Sequence, residues 1–66
     1  MDKDLINHEL SVTRHKIQDL EKNLEDVQKR KNEFEPKIYT TITTQYSQNL
    51  EELRKNEADY LEKLEN

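Results

Sequence analysis

Two histidines and two serines are the side chains of this sequence that could support metal binding or nucleophilic catalysis. His8 and His15 are seven residues apart, so on a helix they lie two turns apart. A single helix chelates a metal through ligands one turn apart, as in Glu-x-x-His or His-x-x-x-His, and neither pattern occurs. We interpret His15 as a surface partner of Asp19 and expect no metal site.

Nucleophilic and phosphate-binding chemistry also lack the residues they need. Ser11 and Ser47 have no recognisable base to activate them. Glycine is absent, which removes the loop that cradles phosphate groups in nucleotide-binding proteins. Cysteine is absent too, which removes thiol nucleophiles, disulfides and cysteine-ligated zinc. We therefore predict a protein that is not an enzyme and that uses no cofactor.

Basic residues cluster near the middle of the chain: Lys22, Lys29, Arg30, Lys31 and Lys37. Acidic residues lie among them: Glu25, Asp26, Glu33 and Glu35. Phosphate affinity depends on uncompensated positive charge, and the formal net charge of the chain is −4. The pattern is therefore more typical of a solvated helix surface than of a nucleic-acid site. Nucleic-acid binding by a hairpin dimer is kept as an alternative.

The composition predicts long helices. Charged residues make up 39% of the chain and hydrophobic residues 30%, which alone would also fit a disordered protein. However, glycine is absent, proline occurs once, and leucine, glutamate, lysine and glutamine are abundant, as in coiled coils. No stretch approaches the roughly 18 apolar residues of a membrane span, and the first residues lack the pattern of a secretory signal. We expect a soluble, cytoplasmic protein.

Apolar residues recur in two heptad patterns, one in each half of the chain, and we call these stripes the seams. The first seam consists of Ile6, Leu10, Thr13, Ile17, Leu20, Leu24, Val27, Lys31 and Phe34. The second consists of Tyr46, Leu50, Leu53, Glu57, Tyr60 and Leu64. This spacing is typical of helices that pack along one stripe. Ile38 and Ile42 precede the second seam in an uncharged, threonine-rich segment, where strand propensity makes the helix prediction weakest.

Pro36 is the only proline and separates the two patterns. Proline breaks a helix interior but suits the first helical position, and it pushes the residue before it out of the helical region. We predict one domain over residues 1–66, with helix one over about 3–33, a turn over about 34–36 and helix two over about 37–65. The predicted fold is all-α: an antiparallel two-helix hairpin, coiled-coil-like, that self-associates into a helical bundle.

The register of the predicted hairpin follows from its turn. Two arms that fold back near residue 35 place opposite each other the positions whose numbers add to about 70, and the two seams match at that value. Thr13 and Glu57 then share one layer, which we interpret as setting the register, with Glu57 bonded to Thr13 or Arg14. We expect Lys31 to pack its stem beside Tyr39 with its amine in water.

Apolar side chains that two helices cannot cover on their own predict a further helix as partner. The residues we predict to contact it are Leu5, Val12, Tyr39, Ile42, Tyr46, Ala58 and Leu61. A two-helix hairpin leaves much of its apolar stripe in water, so a second copy or another protein helix would complete the packing. We therefore predict a small protein-interaction module of the adaptor, chaperone or inhibitor type, and a homodimer. A structural parallel coiled coil, an unbroken rod of about 95 Å, is a further alternative.

Overall fold

A computed structural model describes residues 2–65 as two long helices that fold back on each other. Helix α1 spans Lys3–Lys29, a single 3₁₀ turn spans Lys31–Glu33, and helix α2 spans Pro36–Glu65. The two helices pack along their length, and the molecule measures 47 × 14 × 12 Å. The predicted all-α helical hairpin is confirmed, and the unbroken rod of the parallel coiled coil is not what this chain forms.

Helix α1 begins with an aspartate cap. The backbone of Asp2 is extended, and its carboxylate accepts a hydrogen bond of 2.9 Å from the N–H of Asp4. This bond satisfies one of the backbone donors that the first helical turn leaves free, and the acidic side chain of Asp4 favours the positive end of the helix dipole. Local sequence therefore fixes this end of the helix.

The end of helix α1 lies earlier than the predicted residue 33. The α-helix stops at Lys29, and Arg30 leaves helical geometry with φ −104° and ψ 28°. The N–H of Glu33 then bonds to the carbonyl of Arg30 at 2.9 Å, which tightens the chain into a 3₁₀ turn. Phe34 follows this 3₁₀ turn with an extended backbone (φ −110°, ψ 149°). The chain therefore leaves helical geometry before Pro36 begins the second helix.

Helix α2 begins at the proline and runs through the threonine-rich segment. The carbonyl of Glu35 accepts the N–H of Tyr39 at 2.9 Å, so Pro36 occupies the first helical position, where its missing N–H costs nothing. The hydroxyls of Thr40 and Thr41 each donate to the carbonyl four residues earlier at 3.0 Å. Threonine side chains thus bond within the helix, and the helical prediction for this segment is confirmed.

The core is small and comes from the two seams. Its buried apolar residues are Ile6, Leu10, Ile17, Val27 and Leu50, each at most 8% exposed. Thr13 is buried with them at 7%. Most other seam residues are half-buried, and within residues 2–65 no side chain is less than 2% exposed. Two helices therefore enclose a stripe of apolar side chains but leave its edges open to water.

Two contacts establish how the helices align. The Nε of Arg14 donates to Oε2 of Glu57 at 2.9 Å, and their residue numbers add to 71. Near the turn, the Nζ of Lys31 lies 5.5 Å from the ring centroid of Tyr39, and these numbers add to 70. Both contacts fall within one residue of the predicted register. The expected bond between Glu57 and Arg14 is present, and Lys31 lies beside Tyr39 as expected, but its amine rather than its stem lies over the ring.

Candidate protein-binding flank

The two broad faces of the hairpin, which we call its flanks, differ in charge. The ion-paired flank is defined by Arg14, Glu21, Arg54 and Glu57, which line a groove of about 470 Å³ on this side of the hairpin. Among residues 2–65 it carries both ion pairs that join the helices, Arg14 with Glu57 at 2.9 Å and Arg54 with Glu21 at 3.5 Å. These side chains satisfy one another across the seam, and this flank presents mainly charge to a potential partner.

The opposite flank, which we call the groove flank, contains two connected grooves. The middle groove is lined by Lys16, Asp19, Leu20, Asn49, Glu52, Leu53 and Asn56. The turn-end groove is lined by Val27, Phe34, Thr41, Ile42, Gln45, Tyr46 and Asn49. Each has a volume of about 460 Å³, and they share Asn49, so one depression follows the flank. Only three of its lining residues are charged, and none of these is in the turn-end groove.

The turn-end groove presents apolar side chains that the hairpin only partly covers. Val27 is buried at its floor, and Phe34, Ile42 and Tyr46 are half-buried around it. The guanidinium of Arg30 lies 5.7 Å from the ring centroid of Phe34, within the range of a cation–π contact. A groove with aromatic and aliphatic walls, and with charge only beside it, has the composition of the centre of a protein interface.

The predicted partner-binding residues do not all lie on one flank. Ile42 and Tyr46 line the turn-end groove. Val12 and Leu5 lie two and four helical turns before Asp19, so heptad spacing places them on the groove flank as well. Val12 is half-buried and Leu5 is 55% exposed. The structure therefore assembles these four residues along one face.

Three other predicted residues lie elsewhere. Leu61 is seven residues after Arg54 and Ala58 is four residues after it, so both belong to the ion-paired flank. Leu61 is 39% exposed, and Ala58 is exposed. Tyr39 is half-buried at the seam, beneath Lys31. Leu5, Val12, Ala58 and Leu61, all predicted to contact one partner helix, are thus divided between opposite flanks, although all four lie near the end of the hairpin opposite the turn, which we call the open end.

Ile38 is a residue of the groove flank that sequence reasoning missed. It is 48% exposed and lies seven residues before Gln45, which lines the turn-end groove. Each step of four residues from Leu50 back to Ile38 adds about 40° of rotation around the helix axis, so three steps place Ile38 about 120° from Leu50. This rotation predicts that Ile38 lies outside the seam. Phe34 was assigned to the first seam, but it lies beyond helix α1 and lines the turn-end groove.

Three of the residues considered for other chemistry, His15, Lys29 and Arg30, have partners within the hairpin. His15 Nδ1 lies 3.0 Å from the carbonyl oxygen of Ser11; because a carbonyl only accepts, this nitrogen donates its proton, and the expected pairing with Asp19 is replaced. The side chains of residues 2–65 include no group of three or more His, Asp or Glu residues placed to hold a metal ion.

Lys29 pairs with Glu25 at 3.0 Å and Arg30 with Asp26 at 3.2 Å, as their spacing predicts.

Comparison of the chain with models of protein families, with curated proteins and with solved structures finds no match. In the part of the chain from Asp2 to Glu65, neither helix combines the length and the apolar character that crossing a membrane requires. The site is therefore defined by the geometry of its own residues.

Proposed function

We propose that this chain is a small, non-enzymatic protein-interaction module of the adaptor, chaperone or inhibitor type, which binds a helix of a protein partner through its groove flank. The observation that carries the proposal is the continuous depression over this flank, which has apolar walls at the turn end and only three charged lining residues. Charged residues are depleted at the centres of protein interfaces, and aromatic residues are enriched there.

The shape of the flank favours a helical ligand. The depression lies between two long helices, and a third helix placed there would pack its side chains against both. Its apolar contacts would be Val12, Ile38, Ile42 and Tyr46. Affinity would come from burying these aliphatic and aromatic groups. The polar Asn49 and Asn56 between them offer hydrogen bonds that would fix the orientation of the bound helix.

The same geometry supports a protein ligand over a nucleic acid. Two of the basic residues near the turn, Lys29 and Arg30, are already paired with carboxylates, and the cation of Lys31 lies over the ring of Tyr39. Nucleic-acid affinity comes from cations that neutralise phosphates, so Lys29 and Arg30, whose charges are balanced by carboxylates, contribute little to it. The nucleic-acid alternative is therefore not favoured by a specific contact.

The test compares proteins captured by the tagged full chain with those captured by two variants. The variant Leu5→Asp with Ile38→Asp places two carboxylates on the groove flank at positions 55% and 48% exposed. The matched control, Leu61→Asp, places a carboxylate at a position 39% exposed on the ion-paired flank. We expect a protein that binds the wild-type chain and the control but not the groove-flank variant.

Circular dichroism of all three proteins provides the folding control. The substituted positions are exposed in the hairpin, so each variant should keep its helicity. The proposal is wrong if every captured protein, including the chain itself, binds the folded groove-flank variant as well as it binds the wild type.

A further inference from the structure

We infer that the occupant of the groove flank is a second copy of this chain, related by a two-fold axis across the flank so that the turns of the two copies lie at opposite ends. This inference rests on the proposed function and names its partner. Three observations support it: the surface area that one copy leaves in water, the diagonal placement of the apolar groups and the charges at the middle of the flank.

The accessible surface of one copy exceeds that of a compact protein of its mass. The chain exposes 5303 Å². A compact monomer of 8.0 kDa exposes about 4,450 Å², so the hairpin exposes about 850 Å² more. Each partner in a stable protein interface of standard size buries about 800 Å². The excess therefore matches the contribution of one copy to such an interface.

Four apolar residues at the outer edges of the groove flank lie at two diagonal corners. Leu5 and Val12 are on α1 near the open end, and Ile38 and Ile42 are on α2 near the turn. Within one copy Leu5 and Ile38, the outermost residues of the two corners, are about 40 Å apart along the helix axis, because about 27 helical residues separate their levels. A two-fold axis that passes between the corners, with the two hairpins crossed at an angle, brings each copy's Leu5 and Val12 over the turn-end groove of the other copy. Both corners are then covered by one operation, as a closed dimer requires.

The middle of the flank carries both signs of charge. The middle groove is lined by Lys16 together with Asp19 and Glu52, and by two asparagines that can donate and accept hydrogen bonds. A two-fold axis that passes between the levels of Lys16 and Asp19 places Lys16 of each copy at the level of Asp19 of its partner. Polar groups of both signs near the axis favour this self-pairing over contact of two like-charged surfaces.

Light scattering and sedimentation equilibrium of the wild-type chain measure the dimer directly. We expect twice the single-chain mass of 8.0 kDa at tens of micromolar protein. The variant Leu5→Asp with Ile38→Asp should have the single-chain mass, and Leu61→Asp should keep the wild-type mass. Lys16→Glu, which leaves only carboxylates among the charged residues of the middle groove, should raise the dissociation constant at least tenfold without altering apolar contacts.

Disulfide trapping tests the arrangement, since the natural chain has no cysteine. We expect a mixture of the single variants Leu5→Cys and Ile38→Cys to form the mixed disulfide under mild oxidation, in excess over either symmetric product. The two positions are too far apart in one chain to bond to each other, because a disulfide requires Cα atoms within about 7 Å. A preference for either symmetric product overturns the proposed orientation.

Failure of this inference can be distinguished from failure of the proposed function. A wild-type chain of single-chain mass, whose capture of another protein is lost in the groove-flank variant, overturns the dimer and leaves the interaction module in place. A dimer that the groove-flank variant retains shows that the copies meet elsewhere and overturns the inference.

Discussion

Arg14 donates from Nε to Oε2 of Glu57 at 2.9 Å, across the gap between the two helices. Glu57 occupies a seam position that is otherwise apolar, and its side chain remains 29% exposed. Thr13, the residue before Arg14, is the buried polar residue of the same layer. The layer thus places a carboxylate at the edge of the seam and satisfies it with a neighbouring guanidinium, which avoids an unpaired buried charge.

The ion pair should contribute little to stability. We expect Arg14→Ala to lower the free energy of unfolding by no more than about 1 kcal/mol, because both side chains contact water and are screened. A double-mutant cycle with Glu57→Gln, measured by urea denaturation at fixed protein concentration, gives the coupling energy. Added salt should reduce that energy. A coupling of several kcal/mol that is independent of salt would contradict the half-exposed geometry.

Replacing the carboxylate with an aliphatic side chain should stabilise the hairpin. We expect Glu57→Leu to raise the free energy of unfolding by about 1 kcal/mol, because it extends the apolar seam at a half-buried position. Thermal denaturation followed by circular dichroism measures the change, and Glu62→Leu, at an exposed position of the same helix, is the control. Equal stabilisation by both substitutions would show that the gain comes from the helix propensity of leucine and not from packing in the seam.

Leu50 and Leu61 should differ sharply in their contribution to stability because they differ in burial. Leu50 is 5% exposed, and we expect Leu50→Ala to cost about 2 to 3 kcal/mol, because the small core cannot close the cavity. Leu61 is 39% exposed, and Leu61→Ala should cost less than about 1 kcal/mol. Urea denaturation of both variants at one protein concentration makes the comparison. Similar losses would mean that Leu61 is buried in solution.

The position of the proline decides its effect. We expect Pro36→Ala to lower the free energy of unfolding by only about 0.5 kcal/mol, since proline at the first helical position acts mainly by restricting the unfolded chain. Thr44→Pro, inside α2, should cost about 3 kcal/mol because it removes a helical hydrogen bond and clashes with the preceding turn. Circular dichroism would contradict this assignment if Pro36→Ala lost as much helicity as Thr44→Pro.

Nucleic-acid binding should be weak and non-specific. In an electrophoretic retardation assay with RNA and with DNA, we expect no retardation at physiological salt, because Lys29 and Arg30 are paired with Glu25 and Asp26. Retardation at that salt concentration, removed by Lys29→Glu with Arg30→Glu, would favour the nucleic-acid alternative over a protein ligand.

Much of the fold could be predicted from spacing because each arm is an amphipathic helix with local signals at its ends. The heptad steps locate the buried residues Ile6, Leu10, Ile17 and Leu50, and Pro36 starts α2. The early end of α1 at Lys29 could not be predicted. It depends on the 3₁₀ turn and on the extended backbone of Phe34, which the packing of the turn determines.

The candidate site was only partly predictable. The register states which residues of the two helices lie at the same height along the hairpin, but it does not state on which flank each side chain lies. Ile42 and Tyr46 were identified as exposed apolar surface, whereas Leu5 and Val12 were grouped with Leu61, which lies on the other flank. The groove-lining role of Phe34 required coordinates, since Phe34 lies outside both helices.

The amino-acid sequence alone determined two amphipathic arms, the break between them and the level at which residues such as Arg14 and Glu57 meet. These properties follow from helix periodicity, from proline and from the matching of polar positions. Only the tertiary structure decided that the ion pairs line one flank and that the uncharged turn-end groove lies on the other. Sidedness arises when two helices pair with a fixed rotation about their axes, and that rotation is set by packing around the seam.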